Sequence, residues 1–202
     1  MSHRAVNPPV VIIVSGPPAS GKTTLALRLA VDLGLPCFCK DHIKEALFET
    51  LGWADRDWCR KLGAAATELL YVSADAELRA GRSFVIESNF HTEFAIPRFL
   101  ALREKYLFVP VQIQCRTDGP TLLARYEARA VSGSRHPFHF DRENVADLAP
   151  SLLNGRYDDL EIGGIVLHVD TTDFARLDYR GILLAVSDTL CLRTEVIEET
   201  RF

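Results

Sequence analysis

Gly16-Pro17-Pro18-Ala19-Ser20-Gly21-Lys22-Thr23 matches the pattern G-x-x-x-x-G-K-[ST] at every defined position. Just before it, Val10-Val11-Ile12-Ile13-Val14 is a continuous β-branched run, the composition of a strand buried on both faces. Just after it, the stretch 24–33 carries Leu25, Leu29 and Leu33 at helical spacing. Strand, glycine-bearing turn and helix are the context a phosphate cradle needs: backbone N–H groups, with a helix N-terminus behind them, closing around an anion. Gly16 and Gly21 allow the tight turn, Ala19, Ser20 and Thr24 add loop and helix-start amides, Lys22 is placed to reach β- and γ-phosphates, and the Thr23 hydroxyl to ligate Mg²⁺.

The rest of the 202-residue chain fits one α/β domain, 1–202, with 48% hydrophobic and 25% charged residues speaking against disorder. No stretch has transmembrane length. The formal charge of −4 counts against long nucleic acid as a substrate, although it leaves room for a local basic patch. Cys37, Cys39, Cys59, Cys115 and Cys191 are odd in number and lack a CxxC pair, which suits buried thiols and a cytoplasmic location. Cys37 and Cys39 share a strand face, where their side chains should diverge too far for an easy disulfide.

Downstream, strands are expected at 36–40, 83–89, 109–115 and 165–170, and helices at 41–48, 56–80 (one or two), 92–106, 120–130, 143–153 and 175–190. Gly34 and Pro36 end the first helix, and Pro97 is the weak point of the fourth. The stretch 131–141, with Gly133 between serines, reads as a mobile loop. This alternation predicts a parallel sheet with helices on both faces.

A phosphate cradle alone does not name a reaction. The DxxG and N/T-K-x-D motifs of GTPases are absent, and the third strand ends in one acid, Glu87, rather than the Asp-Glu of oligomeric ATPases. Glu87 could hold the water shell of Mg²⁺ or orient an acceptor, or simply cap a loop. Asp41, at the carboxyl end of strand two, stands where ligands bind in open α/β sheets. There a carboxylate can take the proton of an attacking hydroxyl, although Asp is also a favoured helix N-cap. Lys40 and Lys44 flank it and could touch acceptor, phosphate or only solvent. Arg125 and Arg129 lie four apart on one helix face, with Arg135 following in the loop. Together the three could converge on a γ-phosphate as a lid, or pair with Glu127, Asp141 and Glu143. His136 and His139 lack partners at zinc-site spacing. Trp53, Trp58 and Tyr71 could line an acceptor pocket or pack as core.

The succession GPPASGKTT, KDHIKEAL, VIESNF and RYEAR…RHPFH resembles the small P-loop kinases, specifically the AAA-type ATP-binding kinase-like proteins grouped with the kinase part of polynucleotide kinase, the zeta toxins and chloramphenicol phosphotransferase. The resemblance runs from about Val10 to Thr172. It implies a three-layer P-loop NTPase fold with strand order 2-3-1-4-5, Asp41 as the base, and a phosphate-contacting arginine at Arg125 or Arg129. It also likens His168-Val169-Asp170-Thr171-Thr172 to the segment leading to the adenine site. The expected function is a kinase using ATP and Mg²⁺ on a small-molecule hydroxyl, Lys22, Asp41, Arg125 and Arg129 being catalytic and Thr23 and Glu87 holding the metal. A polynucleotide 5′-hydroxyl kinase and a non-catalytic nucleotide-binding regulatory module are the alternatives. Acceptor, ATP-versus-GTP choice and oligomeric state do not follow from the residues.

Overall fold

Val10–Val14 are at most 1% exposed, because alternate side chains feed two different cores. Val10, Ile12 and Val14 pack with Leu25, Leu29 and Val186, whereas Val11 and Ile13 pack with Leu70, Ala74, Leu78 and Phe99. The computed structural model describes residues 8–132, 137–155 and 157–198. In it β1 (Val10–Ser15) is the middle strand of a five-stranded, wholly parallel sheet ordered β2-β3-β1-β4-β5. The other strands are β2 (Cys37–Cys39), β3 (Phe84–Glu87), β4 (Val109–Arg116) and β5 (Ile165–Asp170). One face carries α1 (Lys22–Leu33) and α7 (Tyr179–Glu198); the other carries α3 (Arg56–Arg79) and α4 (Thr92–Lys105). This is the expected three-layer fold with the expected strand order.

Several boundaries move for local reasons. Helix α1 begins at Lys22, inside the motif, since its N-cap Gly21 already turns the chain. Helix α2 (Lys40–Leu51) leaves β2 with no intervening loop. Residues 56–79 form one helix, opened by Asp55, whose carboxylate accepts the Trp58 amide at 2.8 Å. The stretch 131–141 is not one loop. Helix α5 (Gly119–Ser132) runs into it, Pro137–His139 form a 3₁₀ turn, and α6 (Asp141–Asn154) starts at its end. Residues 133–136, with Gly133, Arg135 and His136, lie outside the described residues. The buried Gln112 carboxamide accepts from Leu160 N and donates to Leu160 O, both at 2.9 Å, which ties the segment after α6 to β4. Among the described residues, no helix is long and apolar enough to cross a membrane.

The Cys37 and Cys39 side chains do not diverge as expected: their sulfurs are 3.7 Å apart, as two thiols in contact. The Cys39 thiol hydrogen-bonds to Cys37, and that bond and burial push it far above the ordinary thiol range.

Candidate active site

The carboxyl ends of β1, β2 and β3 meet at one spot, since Val14 and Cys39 both register with Glu87. The cradle emerges there. Gly16 has φ of +148°, and a Cβ on it would stand 2.7 Å from the Cys115 carbonyl oxygen. A Cβ on Gly21 would enter the Phe174 ring at 2.1 Å. Both positions therefore require glycine on two counts, backbone angle and space. Ala19 also sits at positive φ, 65°, strain of the kind that a binding loop retains.

Lys22 is only 9% exposed and folds back over the loop, its Nζ donating to Pro17 O at 3.4 Å and standing 3.7 Å from Glu87 Oε1. Thr23 Oγ1 donates to Glu87 Oε2 at 3.1 Å. Burial pushes the Glu87 carboxyl up from its ordinary range, and Asp41 adds to this, while Lys22 pulls it down. Ser20 Oγ is fully buried with no hydrogen-bond partner, the one such side-chain atom among the described residues. A phosphate oxygen fits this orphan, and the Thr23 hydroxyl beside the Glu87 carboxylate is the hard-oxygen set that Mg²⁺ accepts. Thr24 follows in the first turn of α1.

Asp41 is not the N-cap of α2. That position belongs to Cys39, whose side chain makes no capping bond, and Asp41 lies in the first helical turn. It lines a cleft of about 160 Å³ together with Lys22, Lys40, Lys44, Glu87 and Arg129. Burial lowers the Lys40 ammonium's affinity for its proton, and Lys44 and Lys22 lower it further against the opposing pull of Asp41 and Glu87.

Arg125 and Arg129 have different partners, and Arg135 lies outside the described residues. Arg125 donates through Nη1 to Thr171 O at 2.9 Å and through Nη2 to Thr172 O at 2.8 Å, and its guanidinium stands 5.9 Å from the centre of the Phe174 ring. It thus serves the end of β5, on the Gly21 side of the cradle. Arg129, one turn on, lines the Asp41 cleft and pairs with Asp141 at 3.1 Å. Four-residue spacing gives two side chains one helix face, but adjacent neighbours for them to bind can differ. The sequence reading missed Phe174, which the run Thr171-Thr172-Asp173-Phe174 could have suggested as the aromatic following a strand end. It also missed the role of His139, which is 6% exposed and bonded through Nε2 to Glu45 Oε1 at 2.9 Å. Trp53 stacks on Phe138 and Trp58 donates to Gly52 O, so both are packing residues, whereas Tyr71 borders a separate cavity of about 550 Å³.

Cradle, sheet order and cleft define a nucleotide-binding P-loop protein of three-layer α/β architecture. The chain belongs to the family described as AAA domain, which matches residues 11–152. Among solved structures it is similar to a candidate kinase from Chloroflexus aurantiacus J-10-fl, with 38% identity over 90% of this chain and 97% of that one and a TM-score of 0.82. A sugar kinase from Janibacter sp. HTCC2649 shares the fold at 18% identity and a TM-score of 0.54, covering 95% and 98% of the two chains. None of the curated proteins matches the sequence.

Proposed function

We propose that this chain is an ATP- and Mg²⁺-dependent kinase that phosphorylates a hydroxyl of a small molecule. The observation that carries the reading is the single cleft in which Asp41 faces Lys22 and Glu87 at the carboxyl ends of β1–β3. The similarity to a candidate kinase at 38% identity supports it. ATP supplies the phosphoryl group, and Mg²⁺ neutralises charge on its oxygens. The amides of Gly16, Ala19, Ser20, Gly21 and Thr24 and the Lys22 ammonium hold the phosphates, while Thr23 and Glu87 hold the metal. Arg129 meets the phosphoryl group as it moves, and Arg125 borders the base with Phe174. Asp41 orients the acceptor hydroxyl and takes its proton. The unlinked thiols of Cys37, Cys39, Cys59 and Cys115 suit a cytoplasmic location.

Asp41→Asn tests the assignment. Single-turnover transfer across a panel of hydroxyl acceptors is expected to fall roughly 10²–10⁴-fold, with nucleotide affinity and melting temperature kept. Transfer at the wild-type rate would remove Asp41 as the base. Slow hydrolysis alone in the wild type, with no acceptor used, would favour a regulatory module.

A further inference from the structure

Beside the Asp41 cleft, and sharing Lys40, Lys44, His139 and Asn144 with it, opens a second cavity of about 390 Å³ between α2, α3 and the start of α6. Among the described residues its walls bring four cations, Lys40, Lys44, Arg56 and Arg60, and no carboxylate. Two of these are paired with exposed carboxylates. Arg56 pairs with Asp147 and Arg60 with Asp57, but in each pair both side chains are 46% exposed or more, where solvent screens the attraction. The other two form no ion pair with a described carboxylate. Among the described residues Lys44 Nζ has soft partners alone, the Cys59 sulfur at 3.1 Å and the face of Phe48 at 5.3 Å, and Glu45 on the same helix turns to His139. Lys40, at the junction of both cavities, has Asp41 as its strongest charged neighbour and feels Lys44 and Lys22 as like charges.

The floor carries a second, independent feature. Gly63 lies within the 24-residue helix α3, where glycine is unfavourable. A Cβ there would meet only the Lys44 head, at an ordinary 3.6 Å, so packing does not require the glycine. What the missing side chain does is open the floor of a cationic cavity. A volume near 390 Å³ lies within the range of small-molecule sites.

We propose that the acceptor carries an anionic group, phosphate or carboxylate, that seats among Lys44, Arg56 and Arg60 while its hydroxyl reaches Asp41 through the shared wall. This rests on the kinase reading and names its substrate class. Held at two points, the acceptor presents one hydroxyl to Asp41, and neutral analogues lose the anchoring bonds.

The experiment titrates inorganic phosphate, and separately malonate, into protein already saturated with a non-hydrolysable ATP analogue and Mg²⁺. Nucleotide binding in the first step confirms a loaded cradle, and transfer across the panel of hydroxyl acceptors, measured on the same protein, reports on the kinase reading by itself. In the second step a saturable anion site is expected, weakened about tenfold or more by Lys44→Gln and by Arg60→Gln, variants whose melting curves and nucleotide affinity are checked alongside. Preference for phosphate over malonate marks a phosphorylated acceptor, and the reverse a carboxylic acid. No saturable anion site at nucleotide saturation, or one that both variants retain, overturns the proposal. So does displacement of the anion by a short 5′-hydroxyl oligonucleotide more tightly than by any small anion, which returns the site to a nucleic-acid end.

Discussion

At the scale of single residues, the cradle is tuned for a guest at some cost to the protein without one. Ser20 Oγ is buried and unpartnered, a defect of about 1–3 kcal/mol for a lost hydrogen bond. Ser20→Ala is therefore expected to raise the stability of the nucleotide-free protein by about 1 kcal/mol and to shrink the extra stabilisation given by ATP and Mg²⁺. Melting curves with and without nucleotide read both effects, and a variant that loses stability in both states would mean the hydroxyl has a structural partner. Lys22 asks for the opposite outcome. Among the described residues its Nζ is held by one long bond to Pro17 O and by Glu87 at 3.7 Å, so Lys22→Ala should keep the fold by circular dichroism while abolishing transfer. Normal turnover in that variant would withdraw the phosphate role altogether.

At the scale of elements, two helical hairpins shape the space around the cradle. In the α5–α6 hairpin, one carboxylate joins the two arms: Asp141 accepts from the buried Tyr126 hydroxyl and from Arg129 Nε, each at 3.1 Å. Asp141→Ala removes both of these hydrogen bonds, and urea denaturation should show a loss of about 1–3 kcal/mol. A loss confined to a few tenths would mean that apolar contacts of Leu122 and Leu152 hold the hairpin without it. In the α2–α3 hairpin the sensitive position is Gly63. Gly63→Ala should stabilise α3 by about 0.5–1 kcal/mol. The same methyl intrudes on the cationic cavity, so phosphate binding at nucleotide saturation should weaken while the melting temperature rises.

At the scale of the whole molecule, pH acts on stability in two opposed directions. Glu87 has its proton affinity raised by burial, so the folded protein binds that proton more tightly than the unfolded chain. The stability it contributes is present below the ordinary carboxyl value of 4.5 and is lost as pH rises through the higher folded value. Asp75, held low by Lys105, and Glu77, held low by Arg82, act oppositely, and their contribution is lost as pH falls. Glu87→Gln should thus stabilise the nucleotide-free protein near neutral pH, by a margin that shrinks toward pH 4.5. A margin independent of pH would assign the effect to packing. The same carboxylate shows where sequence and structure divide the information. Val10–Val14, Gly16–Thr23 and the alternation that follows define a buried strand, a phosphate turn and a parallel three-layer sheet, because periodicity, β-branching and glycine placement are local properties. Asp41 and Glu87 were legible as candidates for the same reason, each closing an apolar run at a strand end. That Glu87 lies against Thr23 and Lys22, that Arg125 turns to Thr171 and Thr172 while Arg129 turns to Asp141, and that Lys44 of α2 and Arg60 of α3 share one cavity are outcomes of docking. Only the tertiary structure decides them, since a side chain's partner depends on which distant backbone the sheet order brings beside it, and helical spacing carries no information about that neighbour.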